Sequence, residues 1–220
     1  MRRMLSLGGI VFVGLVVLAI VGLGGSTPGT DDSAEKLVSF YDAHSAKQEI
    51  AALVLAASVP FLVVFATALA DAGSLESGVW TPWARVLVAG SAVTAATTLV
   101  VSMTHFALAD GGDNNVVPAG MQALNTVDNN FWVAFNPALG VLMVGAAGTL
   151  LSRASTYRWL GWIALVLGVA LFIPFADFFA LLLTGVWIIV TSILLFSERL
   201  SFGGATTRSE TGGPMRTEVA

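Results

Sequence analysis

The sequence predicts an all-α protein: a polytopic membrane helix bundle with about six transmembrane helices and a short amphipathic helix on the outer face. Two observations support this prediction. Apolar residues make up 56% of the 220-residue chain and charged residues only 11%, whereas a soluble domain carries about 25% charged residues. Uncharged apolar runs of about 20 residues, long enough to cross the hydrocarbon core as a helix, recur along the chain. The lipid bilayer is therefore its expected surroundings.

Six apolar runs are the predicted spans, and they form one transmembrane domain over residues 1–198. The spans cover about residues 5–25, 50–70, 86–109, 131–152, 159–176 and 178–197. None alternates polar with apolar residues over about ten positions, as a strand of a membrane barrel does. The first run follows two arginines, as in a secretory signal peptide, but it is too long for one and no A-x-A cleavage site follows it, so we expect an uncleaved span. Residues 199–220, rich in Gly, Thr and Ser, are predicted to form a disordered cytoplasmic tail.

The positions of the basic residues predict the orientation, because cytoplasmic loops of membrane proteins are enriched in Lys and Arg. With the N-terminus inside, the inner segments hold Arg2, Arg3, Arg85, Arg153, Arg158, Arg199, Arg208 and Arg216, and the outer segments hold only Lys36 and Lys47. We interpret the excess of arginine over lysine, together with abundant Ala, Gly and Val, as a GC-rich bacterial coding bias. The predicted location is the inner (plasma) membrane, with both termini cytoplasmic.

The outer segment before the second span is predicted to contain a loop and then a helix. Pro28 and Gly29 indicate the loop. Asp32 is expected to cap the helix, with Glu35 three residues later completing a capping box. Four residues then follow at helical spacing: Leu37, Tyr41, His44 and Gln48. We expect this helix to lie on the outer face and to run into the second span.

Two polar stripes approach the same outer leaflet. The third span carries one stripe at three- or four-residue spacing: Ser91, Thr94, Thr98, Ser102 and His105. The helix entering the fourth span carries the other: Asn125, Asp128, Asn129, Trp132 and Asn136. Residues at this spacing share a helix face, and Pro137 permits a kink beside the second stripe.

If the two faces meet, they enclose a polar pocket that His44, Gln48, Glu49 and Asp177 would close. Its candidate ligand-binding residues are His44, Ser102, His105, Asn125, Asp128, Asn129, Asn136 and Asp177. The histidines and aspartates have the ligand types for a metal or a proton relay. The alternative is that Ser, Thr and Asn join helices by hydrogen bonds while the ionisable groups lie in a hydrated interface. No pair shows metal-ligand spacing, which favours this alternative, and neither a metal nor a cofactor is predicted.

Two other chemistries find no support in the sequence. The loop Asp110–Val117 (DGGDNNVV) lacks the alternate acidic ligands of a calcium-binding EF-hand and predicts a turn instead. The chain has no cysteine, which excludes disulfides, thiolate metal sites and cysteine nucleophiles.

Three short strings carry a resemblance to a known group of proteins: Phe40–His44 (FYDAH), Leu124–Asn130 (LNTVDNN) and Arg158–Trp162 (RWLGW). In this order they resemble a family of uncharacterised bacterial multi-span integral membrane proteins, a domain of unknown function. The resemblance covers residues 1 to about 198. It implies six spans and no established activity.

Three functions follow as hypotheses. The favoured one is a non-enzymatic accessory, scaffold or sensor protein, whose partner is another membrane protein or a second copy of the chain. The alternative is a small transporter or ion-conducting protein that uses the helix break at Asn136–Pro137. A metal-dependent intramembrane enzyme is the third, although no HExxH, GxSxG or intramembrane aspartate pair is present. Nucleic acid is not an expected partner, because the net charge of −4 comes without any basic patch.

Overall fold

The computed structural model of this protein describes residues 2–74, 79–114, 117–152 and 157–197. Within these ranges it contains helices and their connections and no strand, which confirms the all-α prediction. The tail at 199–220, predicted to be disordered, lies outside the described residues, as do Arg153 and the middle of the loop between the second and third predicted spans.

The chain forms eight α-helices and one π-helical segment over the described residues. They are α1 (Arg2–Ser6), α2 (Gly8–Val17), the π-helical segment (Leu18–Gly24), α3 (Ala34–Ala72), α4 (Pro82–Asp113), α5 (Pro118–Asn129), α6 (Trp132–Leu151), α7 (Arg158–Ala170) and α8 (Asp177–Phe196). We call the end of the bundle that holds residues 25–33 and the α4–α5 connection the His105 end. The opposite end, with the α3–α4 and α6–α7 connections, is the Trp83 end.

Within the described ranges, five helical stretches are long and apolar enough to cross a membrane. They are Met4–Gly24, Ala34–Ala72, Pro82–Gly112, Pro118–Leu151 and Asp177–Phe196. Large apolar side chains remain exposed around the bundle, among them Val21, Met103 and Val166. Water-soluble monomers rarely expose contiguous apolar patches of this extent, so the helices indicate a membrane-embedded protein.

Helix α7 is shorter than the fifth predicted span. Its 13 residues measure about 20 Å at 1.5 Å per residue, against a hydrocarbon core of about 30 Å. The reason is Pro174, which has no N–H to donate to the carbonyl of Ala170 and disfavours helical geometry at the preceding residue. The Ile173 N–H donates to the Ala170 carbonyl instead, at 3.0 Å, and the chain turns before α8.

Helix α3 joins the predicted outer helix and the second predicted span in one helix of 39 residues. The prediction that Asp32 caps it is wrong, because the cap is Ser33, whose Oγ accepts a hydrogen bond from the Lys36 backbone N–H at 3.3 Å. The Asp32 carboxylate instead accepts from the Lys36 ammonium at 2.7 Å and from the Gly29 N–H at 2.9 Å. These two contacts, the lysine first, lower the pKa of Asp32. Asp32 therefore stabilises the turn that precedes the helix.

Helix α4 packs between α3 and α6, and glycines allow α4 and α6 to approach closely. A Cβ at Gly90 would lie 2.6 Å from the Leu142 backbone nitrogen, and one at Gly145 would overlap the backbone of Leu87. The main core lies between these helices and α2, α7 and α8. A second, smaller core at the His105 end contains Leu37, Tyr41, Leu108, Ala109 and Met121. It joins the first half of α3 to the end of α4 and to α5.

Candidate functional site

Three helices bring a polar triad together at the His105 end. His105 on α4 places Nδ1 at 3.0 Å from Asp128 Oδ2 on α5, and its Nε2 at 2.9 Å from Gln48 Oε1 on α3. Only 15% of the His105 side chain and 11% of the Asp128 side chain are exposed. Both nitrogens of the imidazole are therefore occupied by protein partners.

The hydrogen bond to the Gly24 carbonyl fixes the orientation of the Gln48 amide, and with it the positions of hydrogens in the triad. Gln48 donates from Nε2 to this carbonyl at 2.9 Å, which leaves its Oε1 facing the histidine. An amide oxygen only accepts, so His105 Nε2 must carry a hydrogen. The contact between Nδ1 and Asp128 then needs one further hydrogen, held by either the nitrogen or the carboxylate. His105 thus joins Gln48 and Asp128 through two separate hydrogen bonds, one from each ring nitrogen.

Tyr41 lies beside the triad in the smaller core. Its ring meets the His105 ring edge-on, with centroids 6.2 Å apart, and the residue is fully buried. The close approach of α3 and α4 here depends on Gly112, where a Cβ would lie 2.6 Å from the Tyr41 carbonyl carbon. The Tyr41 hydroxyl and Asp128 Oδ1 are both buried, and neither has a hydrogen-bond partner in the described part of the chain. A buried polar atom without a hydrogen-bond partner destabilises the folded state. Favourable contacts elsewhere in the structure must offset this loss.

Two asparagines of α5 hold the loop that leads into α3. Asn125 donates from Nδ2 to the Gly29 carbonyl at 3.1 Å, and Asn129 donates to the Pro28 carbonyl at 3.3 Å. The two amides also bond each other at 3.1 Å. Together with the Gln48–Gly24 bond, these contacts fix the chain from Gly24 to Gly29 against α3 and α5.

A second polar pair lies apart from the triad. Asn136, near the start of α6, donates from Nδ2 to Asp177 Oδ2 at 3.0 Å, at the start of α8. Both residues line a cavity of about 120 Å³. A cavity of about 350 Å³ at the Trp83 end has mainly apolar walls, including Trp83 and Leu165. The triad residues line neither of these two cavities.

The residues predicted as one pocket thus occupy several places. The α4 stripe is buried, but its hydroxyls bond their own helix, as Ser102 does with the Thr98 carbonyl at 3.0 Å. Such bonds satisfy the hydroxyls within the helix and leave little for a ligand or a neighbouring helix. His44 lies on the exposed face of α3, where its Nδ1 is 2.8 Å from the Phe40 carbonyl and its ring stacks on Phe40. His44 does not join the triad.

The backbone carbonyls of Gly24, Pro28 and Gly29 are functional partners that sequence reasoning missed. Every residue except proline has the same backbone groups, so no side-chain pattern marks a carbonyl that will accept a long-range bond. Pro28 and Gly29 predict only that a loop occurs. The helical spacing of Tyr41 and Gln48 predicted that they share a helix face. It did not predict that Tyr41 contacts His105.

The described residues contain no group of three or more His, Cys, Asp and Glu side chains that could hold a metal. The best-placed ionisable pair is His105 and Asp128, and these two side chains bond each other directly. The arrangement can hold four chain segments together.

No family model, no curated protein and no solved structure matches the chain. The resemblance to bacterial multi-span proteins of unknown function, and the bacterial origin, thus receive no support from these comparisons. The structure itself supports the coarser conclusion: this is a helical protein with several apolar helices of membrane-spanning length.

Proposed function

We propose that this protein is a non-enzymatic accessory, scaffold or sensor protein of the plasma membrane. The observation that favours this function is the closed triad at the His105 end. An enzyme or a transporter needs a reactive or binding group that its substrate can reach. Here both ring nitrogens of His105 are used by Gln48 and Asp128. The neighbouring amides of Asn125 and Asn129 hold backbone carbonyls. The polar residues at this end join chain segments to one another.

The proposed topology has six spans, with the His105 end outside and both termini cytoplasmic. Helix α7 would be the short fifth span. It runs along α6, because Gly161 approaches Leu151 near one end of the pair and Phe172 approaches Gly140 near the other. The apolar residues 171–176 extend its path, and local thinning of the bilayer accommodates a short helix at modest cost. The part of α3 before residue 50 would be the amphipathic helix at the outer surface.

Single cysteines test this topology, since the natural chain has none. Thr30→Cys, Asn114→Cys and Phe175→Cys should react with a membrane-impermeant maleimide in intact cells. Val79→Cys, Ser152→Cys and Ser197→Cys should react only after permeabilisation. If Phe175→Cys and Ser152→Cys react from the same side, α7 does not cross the membrane and the six-span topology is wrong.

Cross-linking in the native membrane tests the accessory role. After solubilisation, the chain should be recovered at fixed stoichiometry with another membrane protein or with a second copy. The partner yield should fall when the triad is broken by His105→Leu and should stay unchanged for the matched variant His44→Leu, which alters the exposed histidine. A chain recovered only as a monomer under these conditions would contradict the proposal.

The second candidate is a transporter, favoured by Pro137 inside α6, next to the buried amide of Asn136. Transport sites lie near the membrane midplane, whereas Asn136 lies about one turn from the start of α6. Proteoliposomes should therefore show the same ion and solute permeability as empty vesicles. A flux that Asn136→Leu abolishes would favour transport over the accessory role.

A further inference from the structure

The cavity between α6 and the α7–α8 turn has polar chemistry of its own. Its volume is about 120 Å³, and its walls include Asn136, Asp177, Trp132 and Phe172. It is separate from the triad and plays no part in the accessory function proposed above.

Asn136 supplies an acceptor that none of the described residues uses. The side chain donates from Nδ2 to the Asp177 carboxylate at 3.0 Å, which fixes the amide, because the flipped amide would place oxygen against oxygen. Asn136 is only 4% exposed, and its Oδ1 is buried without a hydrogen-bond partner among the residues that the structure describes. A buried acceptor of this kind is stabilised by a donor that enters the cavity.

A backbone carbonyl in the same wall also lacks its usual partner. In an α-helix the N–H of residue 137 would donate to the carbonyl of Val133, but Pro137 has no N–H. Val133 and Pro137 both line the cavity. The cavity wall therefore combines the amide of Asn136 and the carboxylate of Asp177 with a helical turn that lacks one backbone donor.

The remaining walls indicate the charge and shape of the ligand. Asp177 is the only charged residue among those that line the cavity, and Trp132 and Phe172 contribute aromatic rings. Aromatic faces attract organic cations. A hard metal ion requires six or more oxygen ligands, more than these walls provide. A primary ammonium has N–H donors for the amide and carboxylate oxygens, whereas a quaternary ammonium has none.

We propose that this cavity binds a primary ammonium group, either the ethanolamine headgroup of a phospholipid or a small soluble amine. The surroundings favour the lipid. Val133 and Phe172 are 58% and 52% exposed, so the cavity borders the outer surface of the bundle. Trp132 begins α6, and tryptophans at helix ends lie at headgroup depth.

Native mass spectrometry of the detergent-solubilised chain tests the site. The probes are phosphatidylethanolamine, phosphatidylcholine with the same acyl chains, and free ethanolamine. The wild-type chain should retain one phosphatidylethanolamine with a dissociation constant about ten- to hundred-fold below that of phosphatidylcholine, the effect of one charge-assisted hydrogen bond. If free ethanolamine displaces the lipid at comparable concentration, the ligand is a soluble amine.

Asp177→Asn is the informative variant, because an asparagine keeps an acceptor for the Asn136 amide and removes the charge. Its preference for phosphatidylethanolamine should be several-fold weaker than that of the wild-type chain, because the charge-assisted bond is lost and only neutral acceptors remain. Asp42→Asn, which removes an exposed carboxylate from α3, should keep the preference of the wild-type chain. Equal binding of the two lipids by the wild-type chain, or a preference that Asp177→Asn leaves unchanged, would overturn the proposal. So would thermal stabilisation by sodium or calcium ions without any effect of ethanolamine.

Discussion

The α4–α6 interface and the His105 end hold helices together in different ways. Between α4 and α6, Gly90 and Gly145 bring backbone against backbone, so that a single added Cβ would collide. At the His105 end, side chains of three helices meet through hydrogen bonds. The Tyr41 hydroxyl and Asp128 Oδ1 find no hydrogen-bond partner there among the described residues. One contact depends on shape and the other on the matching of donors with acceptors.

The difference follows from the solvent. Lipid tails are as apolar as leucine, so burial of apolar surface does not drive helices together within the hydrocarbon core. Close packing of small residues and interhelical hydrogen bonds remain as the attractive terms. Close packing should be lost when a larger side chain is introduced. The interhelical hydrogen bonds should be lost when a donor or an acceptor is removed.

The largest expected effect comes from a larger residue in the α4–α6 interface. Gly145→Leu forces a side chain into the backbone of Leu87 and should cost about 3 kcal/mol or more of unfolding free energy. Thermal unfolding in detergent measures the loss. Gly14→Leu is the matched control, since a Cβ there meets nothing within 4 Å. Equal unfolding midpoints for the two variants would show that α4 and α6 do not need close approach.

Breaking the triad should have the next largest effect. His105→Leu leaves Gln48 Oε1 and Asp128 Oδ2 without their partner, which should cost about 2 kcal/mol. The double variant with Asp128→Leu should lose less than the sum of the two single losses, because it removes the stranded carboxylate. His44→Leu, the other histidine, should change the unfolding free energy by less than about 0.5 kcal/mol. Additive losses would mean that the pair contributes no coupling.

Release of the loop should have a smaller and local effect. Asn125→Ala removes the donor to the Gly29 carbonyl and should cost about 1 kcal/mol. Hydrogen–deuterium exchange should accelerate between Gly24 and Ser33 and stay unchanged in α6. Asn130→Ala is the control, because the Asn130 side chain donates to the Thr126 carbonyl of α5 and not to the loop. Exchange that rises equally in both variants would argue against the loop contact.

The smallest expected effect compares one helix cap at each end. Thr81 caps α4 at the Trp83 end through a buried bond of 3.1 Å, and Ser33 caps α3 through an exposed bond of 3.3 Å. Thr81→Ala should cost about 1 kcal/mol and Ser33→Ala about 0.5 kcal/mol. Chemical denaturation of both variants measures the difference. The reverse order would mean that burial does not strengthen the cap.

Helix content and the approximate positions of the helices could be predicted from apolar run lengths alone, because lipid demands that the backbone satisfy its own hydrogen bonds. Details that depend on single backbone groups could not. A run of apolar residues continues through Pro174, so its length did not reveal that α7 ends at Ala170. The cap at Ser33 was missed because Asp32 is an equally good capping residue.

Spacing along α4 and α5 predicted that His105 and Asp128 lie on polar faces, and the structure joins these two residues. Spacing gives no distance between helices, so it did not separate the Asn136–Asp177 pair from the triad. Spacing also did not exclude His44 from the predicted pocket. Its position on the exposed face of α3 depends on which side of that helix packs against α4. Ligand binding at these residues remains a prediction.

The π-helical segment has a consequence for how the chain tolerates changes in length. In Leu18–Gly24 the hydrogen bonds reach five residues back, as from the Gly25 N–H to the Ile20 carbonyl at 3.0 Å. A π-helical stretch holds one more residue than an α-helix over the same path. A one-residue deletion inside it would restore ordinary winding and leave Phe12 and the Gly24 carbonyl in register with their neighbours. The same deletion within α2 would rotate everything after it by about 100°, so a shortening tolerated in the π-helical segment should be damaging a few residues earlier.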